Sequence, residues 1–201
     1  IKPQPEPGEI LKWNWDSAFL ISPHDPARLY FGANKLFRSD DRGDSWTRIS
    51  DDLTTQVDRN ELEVMGTVGS IDSVSKNRST SYYGNIVALD ESPVEGEEGV
   101  LYVGTDDGLV QVSRDGGVTW RRTDRIGDAP EGSYVHDLTA DRHEPGVVYC
   151  TLDNRKQNDL KPYVYRSTDY GKSWKPIMGD LPERGTAYSI RQDDVDPELF
   201  F

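Results

Sequence analysis

The sequence places large aromatic side chains close to carboxylates and amides at several points along the chain. Aromatic rings stack on sugars and on peptide side chains, and carboxylates and amides supply the directional hydrogen bonds that such ligands need. A second interpretation stays open, in which the two tryptophans of the set cover the edge of a β-sheet and the polar groups are only solvated. The predicted binding residues are Trp13, Trp15, Asn34, Tyr82, Tyr83, Asp107, Asp153 and Arg155.

Other kinds of chemistry find little support in the composition. The single cysteine, Cys150, lies in a strand-like run and is predicted to be a buried thiol, and the three histidines lack the spacing of zinc ligands. The formal net charge of −13 would repel a phosphate backbone or an anionic lipid surface. No apolar run approaches the roughly 18 residues of a membrane span. We therefore expect no cofactor, no metal, no nucleic-acid partner and no membrane insertion.

An internal repeat indicates the elements that position these residues. The octapeptide S-x-D-x-G-x-[ST]-W occurs three times, with successive copies 74 and 54 residues apart. Each glycine can adopt the positive φ of a tight turn, each aspartate can accept backbone N–H groups, and each tryptophan can pack into the adjoining sheet. The structural residues of these turns are predicted to be Ser39, Asp41, Gly43, Trp46, Ser113, Asp115, Gly117, Trp120, Ser167, Asp169, Gly171 and Trp174.

Four short β-rich runs accompany each octapeptide, which is typical of a propeller blade. The sequence therefore predicts an all-β fold, a β-propeller of four-stranded antiparallel blades in which the octapeptide joins the third and fourth strands. About three and a half blades of a predicted seven-bladed ring are present, so the remaining blades belong to the same protein or to another chain. We expect blades at 13–50, 84–124 and 133–178, the start of another at 185–201, and a long crossover loop at 51–83.

Strand alternation divides the loops between two faces of such a propeller. The octapeptide turns fall on the same face as loops 24–28, 90–99 and 141–146, whose turn residues indicate a structural role. The opposite face carries the crossover 51–83 and the predicted binding residues. Because long ordered loops are usually functional, we predict that ligands bind on this second face.

The octapeptide resembles the Asp-box of bacterial-neuraminidase-type repeats, which occur in sialidases, sortilin-like receptor domains and two-propeller xyloglucan-degrading glycoside hydrolases. The stretch from Trp13 to Trp46 is similar to part of the large secreted bacterial proteins labelled sortilin-like, glycosyl hydrolase or neuraminidase-repeat. This resemblance implies a secreted, periplasmic or cell-surface protein. The leading hypothesis is a propeller segment that binds a protein or a polysaccharide, or that acts as a scaffold.

The same resemblance implies one candidate catalytic residue. Thr105-Asp106-x-Gly108 is similar to the stretch in which two-propeller xyloglucanases carry a catalytic aspartate, so Asp106 is that candidate. Glycoside hydrolysis requires two carboxylates roughly 5–9 Å apart, and in those enzymes the two come from different propellers. The alternative hypothesis is therefore a glycoside hydrolase of this type, and the residues alone leave open whether the chain is an enzyme.

Overall fold

The computed structural model describes residues 2–58, 61, 63–64, 67–68 and 83–201, and within them the fold is all-β. The first sheet contains four strands, β1 to β4, at Phe19–Ile21, Leu29–Gly32, Leu36–Ser39 and Thr47–Arg48. A two-stranded hairpin follows, with β5 at Glu63–Val64 and β6 at Thr67–Val68. Among the described residues no α-helix occurs, and no helix is long and apolar enough to cross a membrane.

Two further sheets have the same order of strands. The second contains β7 to β10, at Ile86–Glu91, Leu101–Thr105, Val110–Ser113 and Arg121–Thr123. In the third, which contains β11 to β14, a 3-10 turn at Arg155–Gln157 joins β12 to β13. Its strands are Tyr134–Ala140, Val148–Asn154, Asp159–Ser167 and Lys175–Pro176. Each sheet is an antiparallel meander, and a bridge between Gln192 and Phe200 begins a fourth unit.

Successive sheets pack against each other at one position on their second strands. A Cβ atom at Gly32 would lie 2.6 Å from Ile86 Cγ2 of the second sheet, so only glycine fits there. Gly104 contacts Val135 of the third sheet in the same way. Thr151 holds the corresponding position in the third sheet, and its hydroxyl donates to the Tyr188 carbonyl at 3.1 Å. The repetition of this junction is what stacked propeller blades require.

Buried apolar side chains fill the junctions between sheets. The junction of the second and third sheets includes Tyr102, Val135, Cys150, Tyr165 and Trp174. Burying one such apolar side chain contributes roughly 1.5–3 kcal/mol, so the junctions are a main source of stability. The prediction of an all-β propeller segment with four-stranded antiparallel blades is confirmed. The junction of the first and second sheets is formed by Ala18, Tyr30, Leu36, Leu53, Ile86, Leu101 and Val103.

Carboxylates on the first strands of the sheets also bridge the junctions. Asp90 on β7 accepts a hydrogen bond from the Ala140 N–H on β11 at 2.8 Å. Asp137 on β11 accepts one from the Ile190 N–H at 3.2 Å and pairs with Arg191. Burial raises the pKa of Asp90 to about 7, and the nearby Asp137 carboxylate acts in the same direction. Asp90 therefore releases its proton at a higher pH than an ordinary aspartate.

Candidate functional site

The octapeptide turns are closed by side-chain hydrogen bonds that repeat in all three copies. Ser39 Oγ accepts the Gly43 N–H at 2.7 Å and donates to Asp41 Oδ1 at 2.7 Å. Asp41 accepts the Ser45 N–H at 2.8 Å and the Ser45 hydroxyl at 2.5 Å, and these bonds lower the pKa of Asp41 to about 2. Equivalent bonds join Ser113, Asp115, Gly117 and Thr119, and also Ser167, Asp169, Gly171 and Ser173.

Each octapeptide turn also contacts the loop between the first two strands of its own sheet. The Arg42 N–H donates to the Ala27 carbonyl at 3.0 Å. In the second sheet the Gly116 N–H donates to the Gly99 carbonyl at 3.0 Å. In the third sheet the Tyr170 N–H donates to the Gly146 carbonyl at 2.9 Å. These two sets of loops therefore share one face, as strand alternation predicts. The other face, formed by the loops between second and third strands and by the crossovers between sheets, is called the crossover face below.

Asp106 lies on the crossover face, in the loop between β8 and β9, and is buried. Its Oδ1 accepts the N–H groups of Gly84 and Asn85, both at 2.8 Å. Its Oδ2 accepts the side-chain amides of Asn85 at 2.7 Å and Asn14 at 3.2 Å. Burial raises the pKa of Asp106, although these donors oppose the shift. The carboxylate thus joins three segments of chain, and this arrangement favours a positioning role. Its catalytic role stays a prediction.

The other polar residues predicted from sequence also hold loops in place. Asp107 accepts the Thr55 N–H at 2.8 Å and the Thr55 hydroxyl at 2.6 Å, which attaches the crossover to the second sheet. Asn34 accepts the Lys12 N–H at 2.9 Å and donates to Asp52 at 2.7 Å. Asn34 and Asp107 are buried, so neither side chain presents itself to a large ligand.

Exposed aromatic rings lie around this framework. Trp15 is 78% exposed. Its neighbour Asn14 is bonded to Asp106, and Asp16 on its other side is close enough to Tyr134 to raise the pKa of that phenol, although burial is the larger cause. The Ser17 N–H donates to the Asn14 carbonyl at 3.3 Å and the Asn14 N–H donates to Ser17 Oγ at 3.0 Å, so the Trp15 ring is presented to solvent from a closed turn.

A second group of rings adjoins Tyr134. The His136 ring centre lies 5.4 Å from that of Tyr134 and 4.3 Å from that of Tyr188. Two cations lie over the tyrosines, Lys156 at 5.1 Å from the Tyr134 ring centre and Arg155 at 5.2 Å from that of Tyr188. The aromatic cluster is the name used below for Tyr134, His136, Tyr188, Arg155 and Lys156.

The structure brings together only some of the binding residues predicted from sequence. Arg155 belongs to the aromatic cluster and pairs with the buried Asp153 at 2.8 Å. Tyr83 is half-buried, and burial is the main cause that raises the pKa of its phenol. The negative charges of Asp107 and Asp106 act in the same direction, so Tyr83 lies near these two carboxylates. Trp13 instead packs on Phe31, 5.1 Å between ring centres, over the first sheet. Tyr82 lies outside the described residues.

A cavity of about 320 Å³ opens next to the aromatic cluster. Residues 124–133, which connect the second and third sheets, form most of its wall, and Gly108 and Leu152 complete it. Ile126 and Leu152 are buried and give the cavity an apolar floor, whereas Arg125 and Glu131 are exposed. This volume is at the lower end of the range for small-ligand pockets, so the cavity has room for one ring or one side chain of a larger ligand.

Four of the cluster's five residues, Tyr134, His136, Tyr188 and Lys156, were not predicted from the sequence. Tyr134 is the first residue of β11, and no local pattern in the sequence links it to Tyr188. The described residues contain no group of three or more His, Cys, Asp or Glu side chains that would hold a metal ion. Cys150 is buried, and burial raises the pKa of its thiol.

The meandering four-stranded sheets, their repeated junctions and the closed octapeptide turns define the chain as a segment of an Asp-box β-propeller. The family model of the BNR/Asp-box repeat matches residues 111–122 and 165–176. The chain resembles GH74-type proteins. Xyloglucanase Xgh74A from Acetivibrio thermocellus is 26% identical over 204 residues, which cover 86% of this chain and 21% of the enzyme.

The chain also matches parts of solved structures. An ancestral GH74 enzyme matches 85% of this chain and 20% of its own length, with 18% identity and a TM-score of 0.48. YCF48 from Cyanidioschyzon merolae matches 83% of this chain and 36% of its own, with 14% identity and a TM-score of 0.47. The chain spans about a fifth of the length of the curated relatives it matches.

Proposed function

We propose that this propeller segment binds a polysaccharide through its crossover face, as part of a larger secreted, periplasmic or cell-surface protein. The observation that carries the proposal is the exposed Trp15 ring, which lies in a turn closed by hydrogen bonds between Asn14 and Ser17 and follows the Asn14 side chain that donates to Asp106. An exposed, preorganised aromatic ring loses little conformational entropy when a sugar ring stacks on it. The likeness to a xyloglucanase supports a glucan-type ligand.

The aromatic cluster and the adjoining cavity extend this surface. Tyr188 is half-exposed, and His136 packs against it edge to face, so the two present one continuous aromatic edge. Charged groups at the rim, from Arg155 to Glu131, supply hydrogen-bond donors and acceptors for hydroxyl groups. A chain of several sugar units is therefore a better match to the surface than a single small molecule.

Replacing Trp15 with alanine is expected to weaken binding to xyloglucan about tenfold, which corresponds to about 1.4 kcal/mol, because the main stacking surface is removed. Native gel electrophoresis in gels with increasing xyloglucan concentration measures this as a loss of retardation. The matched control is Val118→Ala, which also changes a highly exposed apolar side chain but lies in an octapeptide turn on the opposite face. The proposal is wrong if xyloglucan retards Trp15→Ala as much as the parent protein, or if Val118→Ala loses as much retardation as Trp15→Ala. Retardation by a peptide ligand alone would redirect it to protein binding.

A second candidate function is glycoside hydrolysis that uses Asp106, and the likeness to a xyloglucanase together with the raised pKa of Asp106 favours it. On this hypothesis, Asp106→Asn abolishes the release of reducing ends from xyloglucan while the midpoint of thermal unfolding is retained. The test uses the full-length protein, because the second carboxylate of such enzymes comes from another propeller. Absence of hydrolysis by the full-length protein, or loss of activity that only follows loss of folding, excludes the hypothesis.

A further inference from the structure

The cavity next to the aromatic cluster has a wall made of two hydrogen-bonded turns, in the connection between the second and third sheets. In the first turn the Ala129 N–H donates to the Ile126 carbonyl at 3.1 Å. In the second turn the Ser133 N–H donates to the Pro130 carbonyl at 3.2 Å, and the Ser133 hydroxyl donates to the same carbonyl at 2.7 Å. The conformation of the wall is therefore set by its own hydrogen bonds.

Contacts on both sides hold this wall against the two sheets. A Cβ atom at Gly108, in the loop between β8 and β9, would lie 2.7 Å from Gly132 Cα, so the loop and the wall are in close contact. On the other side the Tyr165 hydroxyl of β13 donates to Asp128 Oδ1 at 2.8 Å. A cavity that is preformed in this way avoids the entropic cost of ordering its walls around a ligand.

The floor of the cavity consists of two aliphatic side chains. Ile126 and Leu152 are 3% and 1% exposed, and Ala129 at the side packs against the same apolar core. A sugar hydroxyl placed on this floor would leave water without gaining a hydrogen-bond partner, which is unfavourable. A methyl group placed there would gain free energy by leaving water. The floor therefore favours a ligand group that ends in a methyl.

The rim of the cavity supplies a hydrogen-bond donor. Arg125 lines the cavity and is exposed, and in the part of the chain that the structure describes no carboxylate pairs with it. The nearby Asp124 instead pairs with Arg122. A guanidinium donates to carbonyl oxygens but cannot accept from hydroxyl groups. A methyl next to a carbonyl, as in an acetyl group, matches both the floor and the rim.

We infer that this cavity binds an acetyl group of the polysaccharide, with its methyl on the floor and its carbonyl oxygen towards Arg125. The inference rests on the proposed function and specifies the class of ligand, a polysaccharide whose sugar units carry acetyl esters or acetyl amides. Ser133 of the wall is followed by Tyr134 of the aromatic cluster, and Leu152 pairs with Val135. The sugar that carries the acetyl group therefore lies next to these rings.

Affinity electrophoresis of the full-length protein tests the inference with one polysaccharide in two forms, xyloglucan that carries acetyl esters and the same sample after alkaline removal of those esters. We expect a dissociation constant about tenfold lower for the acetylated form, since one methyl group in an apolar pocket changes affinity by about this factor or more. If the two forms retard the protein equally, this inference is wrong and the proposed polysaccharide binding stands. If neither form retards it, the proposed function is wrong, and this inference is wrong with it.

A variant that fills the cavity separates it from the stacking surface. Ala129→Leu is expected to reduce the preference for acetylated xyloglucan to less than about twofold, while the affinity for the deacetylated form is kept. The matched control is Ala27→Leu, at a partly exposed alanine in the loop 24–28 on the octapeptide face, and it should keep the parent preference. An unchanged preference in Ala129→Leu overturns the inference.

Oligosaccharides of N-acetylglucosamine and of glucose, compared by isothermal titration calorimetry, distinguish the two sources of the acetyl group. Tighter binding of the N-acetylglucosamine oligosaccharide shows that the cavity accepts acetyl amides. Equal binding of the two, together with a preference for acetylated xyloglucan, assigns the cavity to acetyl esters. Equal binding in both comparisons overturns the inference.

Arg125→Ala tests the rim, and it keeps the inference falsifiable if Ala129→Leu fails to fold, because the Arg125 side chain is exposed. We expect its affinity for acetylated xyloglucan to fall about three- to tenfold, since one hydrogen bond is lost, with no change for the deacetylated form. Arg122→Ala is the matched control, because Arg122 is also exposed but lies on β10 outside the cavity wall. Equal losses for the two forms of xyloglucan in Arg125→Ala, or no loss for either, would contradict the inferred contact with the acetyl carbonyl.

Discussion

Replacing Asp106 with alanine is expected to lower the free energy of unfolding by about 3 to 5 kcal/mol. The reason is that four donors from Asn14, Gly84 and Asn85 lose a buried acceptor that no water can easily replace. Urea unfolding followed by circular dichroism measures the change. Asp124→Ala is the control, because Asp124 is an exposed carboxylate on the same face, and its loss should cost less than about 0.5 kcal/mol.

The polarity of the Asp106 contacts can be tested separately. Asp106→Asn turns one acceptor into a donor that faces the side-chain amide of Asn85. We expect it to lower the free energy of unfolding by less than Asp106→Ala does. The double variant Asp106→Asn/Asn85→Asp restores one donor–acceptor pair and should regain part of the stability. If Asp106→Ala unfolds at the same urea concentration as the parent, the positioning role is wrong and the carboxylate is free for chemistry.

The free energy of unfolding of Asp90→Asn, measured relative to that of the parent protein, is expected to rise by about 2 to 4 kcal/mol as the pH increases from about 4 to about 8. Burial raises the pKa of Asp90 from 3.8 to about 7, so the native state holds the proton more tightly than the unfolded state. The parent therefore loses stability as the pH rises through this window, until the carboxyl is ionised in both states. An asparagine stays neutral throughout and loses nothing.

Urea unfolding of both proteins at several pH values gives this difference directly. Carboxylates with lowered pKa, such as Asp41 in the octapeptide turns, lose their contribution as the pH falls, but they do so equally in both proteins and cancel. Asp137→Asn is the informative companion, because removing the neighbouring charge should lower the pKa of Asp90 and weaken the pH dependence. If the difference in the free energy of unfolding between Asp90→Asn and the parent does not change with pH, the pKa of Asp90 is not raised by folding.

The part of the fold that sequence could predict is the part determined by local residues. The octapeptide turns close through contacts between residues two to four positions apart, such as Ser39 with Asp41 and Gly43, so a repeated pattern is enough to recognise them. The strand order follows, since each sheet pairs only consecutive strands. All-β architecture and the division of loops between two faces were within reach for the same reason.

The aromatic cluster was out of reach because its members come together only through the stacking of units. Tyr134 and Tyr188 are 54 positions apart, and a shared contact with His136 depends on the third sheet meeting the fourth unit. The converse holds for Asn34, which looks like a ligand residue in the sequence. Its amide is engaged by Lys12 and Asp52, whose positions relative to it only the folded chain sets.

The glycine junctions have a consequence for how such a chain can grow and fold. Gly32 and Gly104 make the first two junctions alike, so an extra unit copied from this part of the chain would stack without redesign. Thr151 breaks the series, because its side chain is bonded to the Tyr188 carbonyl. The strands of each sheet pair only with neighbours in sequence, which keeps the loop-closure entropy of each sheet low. A duplicated unit is therefore accommodated most easily at the two glycine junctions, where no side chain of the second strand has to find a partner.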